Sequence, residues 1–124
     1  MKNYKIEELE TYQLSMKLAD EIWNLVLTWN ILATDTIGRQ IIRSSDSIAA
    51  NIAEGYGRYY FKDDNKFCFY SRGSILETKT WIMKAQNRKL ISDQLFQELF
   101  KKLETVHKKL NSYMKFIGKN ASMK

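Results

Sequence analysis

Apolar residues recur at alternating steps of three and four along almost the whole of this chain, and no proline interrupts them. That spacing keeps one face of an α-helix oily turn after turn, and a chain without proline is never forced to break such a helix. In the first segment the seam reads Leu9, Tyr12, Met16, Ala19, Trp23, Val26 and Asn30, with Ile22 and Leu27 widening it. In the third it reads Phe67, Tyr70, Ser74, Glu77, Trp81 and then Lys84 or Ala85, and in the fourth Leu99, Leu103, Val106, Leu110, Tyr113 and Ile117. The pattern predicts helices over about 6–30, 36–54, 63–87 and 92–117. The expected fold is all-α, an antiparallel up-down-up-down four-helix bundle making one domain of 124 residues.

The second segment is built differently. Ser44, Ser45, Ser47, Ala49, Ala50 and Ala53 are small, and Ile48 and Ile52 stand four apart on one face. A helix so poor in bulk lets a neighbour approach its backbone closely. Gly55 is expected to stop it in the left-handed conformation, with Gly57 two residues on. Leu32–Thr36 is expected to be a short connection offering several N-caps, and Asp63 and Asp64 suit the start of the third helix. Ser92 is the expected N-cap of the fourth, Gly118 its stop, and Lys119–Lys124 a frayed tail.

Composition narrows the class. Apolar content of 44% is far above that of a disordered chain. The opening residues lead into Glu7, Glu8 and Glu10, not into an apolar run, so no signal peptide is expected. No apolar stretch approaches the ~20 residues of a membrane span. The single cysteine, Cys68, has no partner for an internal disulfide, which suits a reducing cytoplasm. Charge is uneven: residues 1–61 carry 6 basic and 8 acidic side chains, whereas residues 62–124 carry 14 and 6. The second half therefore suits an anionic partner, nucleic acid first among them, or equally a well-solvated helix face with no partner.

Catalytic chemistry is only imitated. Glu104 and His107 have the i, i+3 spacing of a di-iron bundle ligand pair, but His107 is the only histidine, so one chain lacks the second pair such a site needs. Cys68 has no histidine near it in sequence and reads as packing or surface. Ser74 and Glu77 resemble a capping box in the middle of a helix, and Gly55-Tyr56-Gly57 closes a helix instead of opening one onto a phosphate. Nothing assembles a nucleophile, a base and an oxyanion donor, so a non-enzymatic protein without metal or cofactor is expected.

What remains is surface. Lys101, Lys108 and Lys115 recur every seven residues, with Lys102 and Lys109 beside the first two, as one outer stripe of the fourth helix. Arg58, Lys62, Arg88 and Lys89 are secondary candidates for the same anion. The turn from Gly55 to Lys62 mixes bases with Tyr56, Tyr59, Tyr60 and Phe61, as single-stranded nucleic-acid platforms do. Tyr59, Tyr60 and Phe61 are expected rather to staple the hairpin or fill a subunit contact. Glu77 lies on the expected apolar seam, where a lone carboxylate is costly. An antiparallel hairpin sets it level with Gln40 and near Arg43, so a structural polar contact is expected there. Asn51 and Glu54 are the polar residues of the second helix's last turn.

Ser47-Ile48-Ala49-Ala50-Asn51-Ile52-Ala53-Glu54-Gly55-Tyr56-Gly57-Arg58 resembles the signature of the bacterial 23S rRNA-intervening-sequence proteins. Phe69-Tyr70-Ser71-Arg72-Gly73-Ser74-Ile75-Leu76-Glu77-Thr78 resembles their third-helix motif, with weaker support from Tyr12-Gln13, Leu18-Ala19, Gln40 and Arg43. Asp46 departs from the family pattern, standing where a small apolar residue is usual. The resemblance implies an up-down-up-down bundle that assembles as a homo-oligomeric ring of five, with no enzymatic activity established. It also implies two kinds of partner: nucleic acid, RNA or DNA, or a protein such as the reverse transcriptase that a related branch accompanies.

Overall fold

The computed structural model describes residues 2–122, with side chains described through Asn120. Four long helices account for most of them: α1 (Glu10–Val26), α2 (Arg39–Tyr56), α3 (Phe61–Asn87) and α4 (Asp93–Ser122). A 3-10 turn, Ile6–Glu8, precedes α1, and a one-turn helix, Ile31–Ala33, runs through a π-helical stretch, Thr34–Gly38, into α2. Among the described residues there is no strand.

Every neighbouring pair is antiparallel. Val26 meets Gly38 at one end of the α1–α2 pair, while Tyr12 and Ala53 share a cavity wall towards the other. Ser44 pairs with Thr78 and Ile48 with Ser71 across α2 and α3. Arg72 reaches Asn111 and Gln86 reaches Asp93 across α3 and α4, and Thr11 bonds to Val106 across α1 and α4. The topology is an up-down-up-down bundle, a rod whose thirty-residue α4 spans ~45 Å.

The core is aliphatic: Leu18, Ile22, Ile41, Ile48, Ile52, Ile75, Ile82, Leu103, Leu110 and Ile117 are fully buried. Truncating any of these to alanine should cost about 2–5 kcal/mol. Two expected seams lie one step out of phase. In α1 the buried residues are Thr11, Ser15, Leu18, Ala19, Ile22 and Val26, while Met16, Trp23 and Leu27 are exposed. In α3 they are Asp64, Cys68, Ser71, Ile75, Thr78, Ile82 and Ala85, which leaves Tyr70 exposed and Phe67, Glu77 and Trp81 at the flank. Small hydroxyl residues fill both seams because each finds an acceptor. Ser71 donates to the Ile48 carbonyl at 2.7 Å, Thr78 bonds to Ser44 at 2.8 Å and Thr11 donates to the Val106 carbonyl at 3.0 Å.

The helix ends also depart from expectation. Gly55 does not stop α2 by turning left-handed; no described glycine has positive φ, and α2 continues to Tyr56. Gly55 is required by proximity instead. A Cβ there would lie 2.7 Å from Asp64 Oδ1, 2.9 Å from its carbonyl oxygen and 3.0 Å from Phe67 Cβ. Gly38 plays the same part against Val26 Cγ1 at 2.8 Å. The segment around Leu32–Thr36 is helical, capped by Asn30, whose side chain accepts from the Ala33 N–H. Ser92 does cap α4, accepting from the Leu95 N–H at 3.1 Å. Gly118 does not end α4, which runs on through Lys119 to Ser122; Met123 and Lys124 lie outside the described residues. Helix one is shorter than expected, because turns at Leu27 and Thr28 end it four residues before Asn30.

Candidate functional site

The lysines of α4 divide into two sets. Lys102 bonds to both carboxylate oxygens of Glu21 at 2.9 Å, and Lys109 pairs with Glu10 at 2.5 Å. Both pairs with α1 acids are half-exposed, and Lys101, Lys102, Lys108 and Lys115 all remain on the outer surface of α4. Lys101 and Lys108 line a cavity of about 380 Å³ between α3 and α4 with Lys79, Glu104, Thr105, His107 and Asn111, and Lys101 also lines a second cavity on the α1 side with Lys17, Glu21 and Lys102. Among the described residues neither Lys101 nor Lys108 has an ion-pair partner; Lys115, two turns beyond Lys108, is exposed.

The wall facing them comes from α3. Lys79 lies over the Phe100 ring at 4.9 Å. Arg72, two turns away, stacks on Phe69 at 4.7 Å and donates to Asn111 Oδ1 at 3.2 Å. Burial, then the charges of Lys79 and Arg72, push the His107 imidazole below its ordinary value, so it is neutral at pH 7. The result is a groove between α3 and α4 with cations on both banks, one acid (Glu104) and a neutral histidine in its wall. Lys79 and Arg72 were not singled out in the sequence. Their seven-residue spacing, matching that of Lys101 and Lys108, was the available signal.

The other candidates lie elsewhere. Arg58 pairs with Glu54 at 2.7 Å and stacks over Phe67 at 4.8 Å, and Lys62 is exposed in the first turn of α3. Arg88 and Lys89 sit at the far end of α3, ~40 Å from Lys62 by helix length; Lys89 has φ 60, the left-handed residue of that turn. Tyr59 and Tyr60 are 82% and 66% exposed and contact each other edge to face, so they do not staple the hairpin. On the α2–α3 flank Arg43 donates to Gln40 Oε1 and to Glu77, and Trp81 Nε1 donates to Glu77 at 3.1 Å. Asn51 donates to the Ser47 carbonyl, a bond within α2.

A buried polar cluster was also missed. Asp64, expected only as a helix-start charge, is wholly buried beside Cys68 and accepts a 2.8 Å bond from the Tyr113 hydroxyl. Tyr4 and Tyr113 share a 2.9 Å bond, and Tyr56 donates to the Tyr4 carbonyl. Burial pushes the Cys68 thiol up to about 12, with the Asp64 charge adding to it, so it holds its proton. Among the described residues no group of three or more His, Cys, Asp or Glu stands together to hold a metal ion, and no helix is long and apolar enough to cross a membrane.

Among curated proteins none matches this sequence. Its backbone is similar to the crystal structure of a protein of unknown function from the S23 ribosomal protein family, from Bacteroides thetaiotaomicron VPI-5482. The two share 22% identity with a TM-score of 0.76, over 85% of this chain and 98% of the other, a likeness of fold. The family model described as 23S rRNA-intervening sequence protein matches residues 7–112, well over half the chain. The chain belongs to the 23S rRNA-intervening sequence protein family.

Proposed function

We propose that this protein is a non-enzymatic nucleic-acid-binding module that holds the phosphate backbone in the groove between α3 and α4. The observation that supports the reading is the contrast within α4: Lys102 and Lys109 are ion-paired with Glu21 and Glu10, whereas Lys101 and Lys108 have no ion-pair partner among the described residues and line an open groove with Lys79. Four cations on two banks (Arg72, Lys79, Lys101 and Lys108) suit a polyanion and offer no base-reading element, so binding is sequence-tolerant. Anisotropy of labelled single-stranded RNA and DNA is the test. With four phosphates neutralised, affinity should fall about fiftyfold between 50 and 200 mM salt. No binding at the lower salt would leave a protein-interaction scaffold as the better account.

The functional unit is, in this reading, a homo-oligomer. Met16, Trp23, Leu27, Ile31 and Leu32 are all exposed along α1 and its turn into α2, an apolar surface suited to a second copy of the chain. Repeating the groove around an assembly multiplies weak phosphate contacts. Light scattering on the purified protein reads the assembly directly, and a monomer at working concentration would rule it out.

A further inference from the structure

At the end of the bundle where α2 turns into α3, a cation is held inside the protein. The ammonium of Lys2 donates to the Arg58 carbonyl oxygen at 2.9 Å and lies 3.6 Å from Asp64 Oδ2. It also stands over the rings of Tyr56 and Phe61, at 5.4 and 5.8 Å. The Lys2 side chain is 9% exposed and that of Asp64 is 0%. A carboxylate, two aromatic faces and a carbonyl oxygen are the elements that recognise an alkylammonium. The carboxylate is fixed without help from Lys2: Tyr113 donates to Oδ2 at 2.8 Å and Cys68 approaches Oδ1 at 3.7 Å. Of these elements only the cation comes from the N-terminal strap, residues 2–5. A cavity of about 300 Å³, lined by Lys2, Tyr56, Gly57, Arg58, Tyr59 and Phe61, opens beside it.

We propose that this end of the bundle is a binding site for a primary alkylammonium group, filled in cis by Lys2 and open to an external amine when Lys2 withdraws. The Arg58 carbonyl requires an N–H donor, so a primary amine is taken and a quaternary one refused. Tethering gives Lys2 a high effective concentration, which keeps the site closed to dilute competitors. The site is separate from the α3–α4 groove and stands whether or not that groove binds nucleic acid.

Lys2→Ala empties the site and leaves Asp64 without its counter-charge, and should lower Tm by about 5 °C. Added n-propylammonium should recover at least half of that loss in a saturable manner, with no effect on the unmutated protein. Tetramethylammonium at equal ionic strength should recover none. 1,4-Diaminobutane and a short lysine peptide, titrated in parallel, tell a free amine from a protein lysine as the external ligand; binding of either supports the site. If Lys2→Ala does not fold alone, the same amine should restore its helical circular dichroism. The double variant Lys2→Ala/Asp64→Asn should not respond. Rescue that is absent, non-saturable, equal with tetramethylammonium or undiminished in the double variant overturns the proposal.

Discussion

Gly55 and Asp64 meet where α2 and α3 come closest, and each sets a demand on the other. A methyl group at Gly55 would press on the Asp64 carbonyl oxygen, which belongs to backbone and does not swing away. Gly55→Ala should therefore cost about 1–3 kcal/mol in urea unfolding. At Gly57 the nearest atoms are 3.6 Å away and φ is −73°, so Gly57→Ala should be neutral or slightly stabilising. Equal losses at the two positions would contradict the close approach. Asp64 supplies a second prediction. Burial raises its pKa above 3.8, opposed by Tyr113, Lys2 and Cys68, so the folded state binds the proton more tightly than the unfolded one. Its contribution is complete below 3.8 and is lost as pH rises through the folded value. The charged or titratable neighbours are Lys2 and Tyr4 from the strap, Cys68 from α3 and Tyr113 from α4. Unfolding measured in urea at stepped pH should show Lys2→Ala losing more stability than the unmutated protein over that rise. A pH-independent difference would mean that Lys2 does not compensate the carboxylate.

The four helices and their order were legible from periodicity, and the phases of two of them were not. Met16 and Trp23 drew the α1 seam away from Thr11 and Ser15, and Tyr70 drew the α3 seam away from Ser71 and Thr78. Hydropathy alone ranks an aromatic above a serine, but a close helix pair buries the small residue and gives its hydroxyl a carbonyl to meet. The close approach itself was readable in the small residues of α2. The site was only half readable: seven-residue spacing exposed the α4 lysines, while their separation into paired and unpaired sets depends on Glu10 and Glu21 in a distant helix. His107 offers a check on the groove as a unit. Because burial, Lys79 and Arg72 lower its pKa, acidification through that value adds a positive charge to the wall. Binding of single-stranded nucleic acid should strengthen as pH falls below neutrality, and His107→Gln should remove that increment while leaving affinity at neutral pH unchanged. An unchanged pH profile in the variant would place the bound strand elsewhere.

The α3–α4 groove is cationic, exposed apolar residues lie on α1 (Met16, Trp23, Leu27) and also on α3 (Phe69, Leu76, Met83), and the end where α2 turns into α3 holds a buried ion pair. Trp23→Glu with Leu27→Gln should dissociate an assembly built on the α1 side without loss of helical content, read by light scattering with circular dichroism. An intact assembly in that variant would move the contact to another face. A charge-matched pair of variants tests where the polyanion sits. Lys79→Gln/Lys101→Gln and Lys102→Gln/Lys109→Gln each remove two positive charges, the first from the groove and the second from the α1-facing pairs. The measurement is anisotropy of one labelled RNA against both proteins over a salt series. The groove variant should bind weakly and lose only about sevenfold between 50 and 200 mM salt, having two phosphate contacts left, while the other keeps the unmutated slope. Equal losses in the two variants would show that net charge and not the groove governs binding, and would contradict the account.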